Sequence, residues 1–103
     1  CEESFAPIVS IVSYETLFDA IRLVNDSTLG LNAGIYTNVL TDALFAADEI
    51  EAGAIIINDI PTFRTDNMPY GGVKMSGYGR EGIKYAVEEM TDLKLISIKT
   101  SLS

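Results

Sequence analysis

The chain has 103 residues, of which 15 are acidic and 7 basic; a formal charge of −8 offers no basic surface for a phosphodiester backbone or an anionic membrane, so neither is expected as a partner. With 48% apolar and 21% charged residues, 8 glycines and 3 prolines, it reads as one folded domain, able to bury roughly 60–70% of the surface its unfolded form exposes. A single cysteine, Cys1, and no histidine exclude an internal disulfide framework, a zinc cluster of ordinary type and a Ser-His-Asp triad.

Residues 6–14, "APIVSIVSY", are rich in Val and Ile and predict a largely buried strand. Ser13 is then placed to cap a helix in which Leu17, Ile21 and Val24 recur at helical spacing, ending in the turn formers of "NDSTLG". "LNAGIYT" predicts a second strand. From about Thr41, "TDALFAADEIEA" predicts a second helix with Leu44 and Ala47 on one side, and Gly53 stands where a left-handed C-terminal cap would fall. "AIIIN" follows as a third strand, its unbroken apolar run suiting a parallel strand buried on both faces.

After Asn58 the periodicity breaks for about twenty residues, which marks a functional loop in a compact domain. It returns in a short helix with Ile83, Ala86, Val87 and Met90 on one face, and "LKLISIK" alternates imperfectly as a last strand. The order β-α-β-α-β-loop-α-β predicts an α/β fold: a small, mostly parallel sheet with flanking helices. No repeat or linker divides the chain. The longest apolar run, Ala54 to Ile57, is far below the ~20 residues of a spanning helix, and the acidic start lacks a signal pattern, so a soluble, cytoplasmic protein is expected. The chain starts at Cys1, without an initiator methionine, and within about six residues enters a strand, an abrupt start that processing, tag removal or excision from a longer protein would each produce.

Gly77, Gly79 and Gly82 spell G-x-G-x-x-G, yet loop rather than strand precedes them, and no acid follows at the distance of a ribose contact, so the triplet reads as a turn-rich entry to a helix. Glu2 and Glu3 are adjacent on an extended backbone, so at most one can face a given site. Cys1 has no histidine to serve it as a base. Arg64 and Lys74 lie in the long loop and could hold an anion, Arg64 bidentately, or be solvated cations. Asp42, Asp48, Glu49, Glu51, Glu88 and Glu89 read as solvated faces.

In combination, "EESFAPIV", "NDSTLGLNAGIYT", "GAIIIN", "MPYGGVKMSGYGREG" and "TDLKLISIK" resemble, in order and across essentially the whole chain, the C-terminal part of the aldehyde dehydrogenase superfamily. The resemblance implies NAD(P)-dependent oxidation of an aldehyde to a carboxylic acid by a cysteine thiolate and a glutamate-activated water. In the family both groups, and the dinucleotide-binding domain, lie upstream of the "EESFAP" motif; Cys1 does not match the nucleophile, so no catalytic residue is assigned. By resemblance, Glu3 matches the glutamate that accepts from the nicotinamide ribose hydroxyls, and Phe5 the aromatic packed near the nicotinamide. Asn58 closes the strand entering the substrate loop, and Phe63 and Tyr70 stand where the family places aromatic walls. Ala6 replaces the commoner glycine of the motif.

"PTFRTDNMPYGG" is similar to the lactaldehyde and non-phosphorylating glyceraldehyde-3-phosphate branch, and Arg64 becomes the residue for an anionic aldehyde. The resemblance divides the chain into residues 1–91, the end of the catalytic domain, and 92–103, an oligomerisation strand. Its implied partners are a small aldehyde, NAD or NADP, the remaining domains of its own protein, and a second copy through the last strand. The fragment alone is expected to be inactive. The alternative is a free-standing α/β ligand-binding or regulatory module that dimerises through the last strand.

Overall fold

The computed structural model describes residues 3–100; Cys1, Glu2 and the last three residues of the expected terminal strand lie outside them. The α/β class is as expected. Helix α1 (Leu17–Asn25) leads to strand β1 (Leu29–Gly30) and strand β2 (Asn32–Ile35). Helix α2 (Leu40–Glu49), strands β3 (Ala54–Ile57) and β4 (Val73–Lys74), and helix α3 (Ile83–Met90) complete the order.

β2 and β3 pair in parallel, from Asn32 opposite Ala54 to Ile35 opposite Ile57, with α2 supplying the crossover that a parallel pair requires. β1 and β4 pair antiparallel, Leu29 opposite Lys74 and Gly30 opposite Val73. The core is small: Ile21 of α1 packs in a region shared with Ala43 and Ala46 of α2, the buried hydrophobic residues among those described. Alanines at i and i+3 keep one face of α2 thin enough for α1 to approach.

Several expectations are corrected. α1 is capped by Thr16, not Ser13: the Asp19 N–H donates to Thr16 Oγ1 at 3.1 Å and the hydroxyl donates back to Asp19 Oδ2 at 2.6 Å, a reciprocal cap that Ser13 lies too far upstream to make. Gly53 is not the cap of α2, which ends at Ile50 in an extended conformation. A Cβ on Gly53 would lie 2.7 Å from the Gly71 carbonyl carbon and 3.0 Å from Gly72 Cα, so close approach of two backbones, rather than a left-handed turn, requires glycine there.

The segments expected as first and last strands, 6–14 and 93–99, form no ladder among the described residues. Residues 4–8 turn twice through i→i+2 bonds, Ala6 N–H to Ser4 O at 2.9 Å and Ile8 N–H to Ala6 O at 2.8 Å. A strand is completed only by the ladder bonds of a neighbour, and among the described residues these segments make none. Their side chains stand open, Ile11 92% and Leu95 93% exposed. The Cα radius of gyration is 19.6 Å, against about 13 Å for a compact unit of this length. No helix among the described residues is long and apolar enough to cross a membrane.

Candidate functional site

One face of the β2–β3 pair carries Asn32, Gly34, Ala54 and Ile56, because alternate residues of a strand share a face and the register aligns them. The loop after β3 folds over this face. Pro61 and Asp59 press against Gly34 so closely that a Cβ there would meet Pro61 Cγ at 3.1 Å and the Asp59 carbonyl at 3.2 Å. Farther along, Asn32, Ala54 and Ile56 form the floor, and Phe63, Arg64 and Tyr70 the wall, of a cavity of about 200 Å³. Thr62, Met68 and Pro69 complete its lining.

Arg64 lies over the ring of Tyr70, its Cζ 4.4 Å from the ring centroid. The ring's negative face attracts the cation and holds it over Tyr70. Among the described residues Arg64 makes no ion pair and no hydrogen bond, so its five N–H donors remain available. Tyr70 is fixed in turn by a two-way backbone pairing with Glu81, the Tyr70 N–H donating to the Glu81 carbonyl at 3.0 Å and the Glu81 N–H donating back. Arg80 closes the same fold, donating from Nη1 to the carbonyls of Gly72 at 3.1 Å and Gly79 at 2.8 Å.

Gly77 and Gly79 thus belong to a loop folded on itself between an antiparallel two-residue strand and α3, with Gly82 as the α3 N-cap. A dinucleotide cradle needs a parallel strand–turn–helix unit, and that is not the setting here.

The structure therefore brings Phe63, Arg64 and Tyr70 together. Asn58 sits at the root of their loop, its side-chain amide bonded to Thr37 rather than turned into the cavity. Glu3 and Phe5 are in the N-terminal segment, both exposed, Phe5 at 93%, and do not line this cavity. An acceptor-only carboxylate and an open aromatic face two residues apart suit a ribose diol and a flat heterocycle, so both fit a nicotinamide nucleotide chemically. Among the described residues no group of three His, Cys, Asp or Glu side chains could hold a metal ion. The cavity floor and the Glu81 pairing were missed from sequence; the period-two spacing of Asn32 and Gly34 opposite Ala54 and Ile56 could have revealed the first, whereas nothing local signals the second.

The aldehyde dehydrogenase family model matches residues 1–96. The lactaldehyde dehydrogenase of Methanococcus maripaludis is 52% identical over 96 residues, which is 93% of this chain and 21% of that protein. The 3-sulfolactaldehyde dehydrogenase of Priestia aryabhattai is 53% identical over 95 residues, 92% of this chain and 20% of the relative. The crystal structure of glyceraldehyde-3-phosphate dehydrogenase GapN from Methanocaldococcus jannaschii in complex with NADP superposes with a TM-score of 0.71 at 48% identity, covering 75% of this chain and 17% of that one. The chain thus spans about a fifth of the length of the curated relatives it matches.

Proposed function

This chain belongs to the aldehyde dehydrogenase family, and on that premise we propose that it is the substrate-wall and terminal part of an enzyme that oxidises a short 2-hydroxyaldehyde to the carboxylic acid with NAD or NADP. The three relatives above are named for lactaldehyde, 3-sulfolactaldehyde and glyceraldehyde 3-phosphate. Those molecules share a C2 hydroxyl beside the aldehyde and differ at C3, which carries hydrogen, sulfonate or phosphate. Lactaldehyde is uncharged, so Arg64 is not needed for the class as a whole. Its role is to admit the members with an anionic C3 substituent.

The observation that carries this reading is the Arg64–Tyr70 stack at 4.4 Å with the guanidinium otherwise unspent. The ring contact holds the guanidinium without using its N–H groups, and an oxyanion accepts two parallel N–H bonds from such a fork. Phe63 and Tyr70 supply apolar walls that exclude water from the carbon chain, and Glu3 and Phe5 hold the ribose and nicotinamide of the cofactor. NAD(P), when bound, supplies the hydride acceptor. The nucleophile and the general base belong to the remainder of the longer protein, so residues 1–103 alone do not turn over.

The open apolar surface supports incorporation into a larger body. Ile8, Val9, Ile11 and Val12 on one segment, and Leu93, Leu95, Ile96 and Ile98 on the other, are all at least 65% exposed, runs of open apolar side chains that mark interaction surfaces rather than the surface of a free-standing module. The first segment docks against the remaining catalytic domain, and the second pairs with a neighbouring copy by strand addition.

The test is Arg64→Ala in the full-length protein. Charge-assisted bonds to an oxyanion are worth about 1.5–3 kcal/mol, so KM for glyceraldehyde 3-phosphate and 3-sulfolactaldehyde should rise about ten- to hundredfold while KM for lactaldehyde stays within twofold. An equal change for all three substrates, or none for any, defeats the assignment.

A further inference from the structure

The side chain of Asn58 does the work of a strand residue. Its own N–H continues the parallel ladder, donating to the Ile35 carbonyl at 2.8 Å. In a regular ladder the next acceptor, for the Thr37 N–H, would be the Asn58 carbonyl. The Asn58 backbone instead turns into the left-handed region at φ 61°, which carries that carbonyl away. Its side-chain amide takes over: Oδ1 accepts from the Thr37 N–H at 2.8 Å and Nδ2 donates to the Thr37 carbonyl at 3.0 Å. Asparagine is among the few residues that tolerate this φ, and its amide offers one donor and one acceptor at the spacing of a peptide group.

The consequence lies downstream. Immediately after the turn, Asp59 and Pro61 pack on Gly34, and the Phe63 N–H closes a turn on the Ile60 carbonyl at 3.0 Å. Phe63 and Arg64 follow at once on the cavity wall. We propose that Asn58 is a positioning residue for the aldehyde: its two-point lock on Thr37 sets the direction in which the loop leaves the sheet, and hence where Phe63 and Arg64 meet the substrate. This rests on the function proposed above, and it gives Asn58 a role through the loop rather than through contact with substrate.

Asn58→Gly keeps the left-handed turn and removes the lock; Asn58→Asp keeps the acceptor but sets an oxygen against the Thr37 carbonyl. In the full-length protein both variants should raise KM for lactaldehyde and for glyceraldehyde 3-phosphate at least fivefold, with kcat and KM for NAD(P) within twofold of wild type. Hydrogen exchange at the Thr37 amide should be protected in wild type and at least tenfold faster in Asn58→Gly. Unchanged aldehyde KM in Asn58→Gly, with wild type active, overturns the inference alone, because the turn would then be all that the position requires. A fall in kcat together with a rise in KM for the aldehydes and NAD(P) alike also overturns it, marking a general structural role. Unprotected Thr37 in the wild-type protein overturns it without any variant, and a wild type inactive on every aldehyde removes the functional reading and this role together.

Discussion

Replacing Gly53 by alanine should damage the site from a distance. The added Cβ would lie 2.7 Å from the carbonyl carbon of Gly71 and 3.0 Å from Gly72 Cα, both backbone atoms, whereas ordinary contact begins near 3.4 Å. Neither side yields easily. Gly53 is held by its N–H bond to the Gly30 carbonyl at 3.0 Å, and the Gly71 region by the Tyr70–Glu81 pairing and by Arg80 on the Gly72 carbonyl. Overpacking costs about 1–3 kcal/mol, and losing the two backbone bonds between Tyr70 and Glu81 adds about 0.5–1.5 kcal/mol each. The sum is about 2–6 kcal/mol. Because Tyr70 adjoins Gly71, the same displacement shifts the ring on which Arg64 lies. Denaturant unfolding of the full-length protein, with aldehyde KM measured alongside, checks both consequences: a lower midpoint and a higher KM for glyceraldehyde 3-phosphate. A Gly53→Ala protein with both values unchanged would refute the backbone-contact argument.

Three further outcomes follow from the same contacts. Lys74→Met removes a cation whose Nζ donates to the Asn25 and Ser27 carbonyls at 2.7 and 3.0 Å and pairs with Glu51 at 2.6 Å; since Glu51 is 59% exposed the ion pair adds little, and the carbonyl bonds set a loss of about 2–3 kcal/mol that 1 M salt, tested by denaturant unfolding, should barely alter. Thr16→Ala should cost about 1 kcal/mol through the lost N-cap, read as about fivefold faster hydrogen exchange at Asp19, whose N–H the hydroxyl accepts at 3.1 Å. Arg64→Lys keeps the charge but loses the planar fork and its contact with Tyr70, so it should reverse only part of the rise in KM for glyceraldehyde 3-phosphate caused by Arg64→Ala.

Local order was legible in the sequence. The periodicity of Leu17, Ile21 and Val24 announced α1, and the run from Ala54 to Ile57 announced the parallel strand, because both signals lie within a few residues of one another. Strand pairing was less legible, since it depends on neighbours distant in the chain. Residues 6–14 and 93–99 have strand chemistry but form no ladder among the described residues, and β1 and β4 are two-residue strands joined across more than forty positions.

At the site, sequence singled out Phe63, Arg64 and Tyr70 individually, and their shared cavity emerged only when the loop closed on the Tyr70–Glu81 pairing. Gly53 was misjudged for the same reason: a glycine near a helix end looks like a cap until the backbone that crosses it is seen. The bonding of Asn58 to Thr37 was likewise invisible, because it joins residues twenty-one positions apart.

The most direct test compares NAD(P)H formation from lactaldehyde and glyceraldehyde 3-phosphate by the full-length protein that contains this segment and by residues 1–103 alone. Steady turnover is expected from the former and none from the latter. Turnover by the isolated chain at a stoichiometry that excludes contaminants, or a full-length protein inert towards every aldehyde, would contradict it.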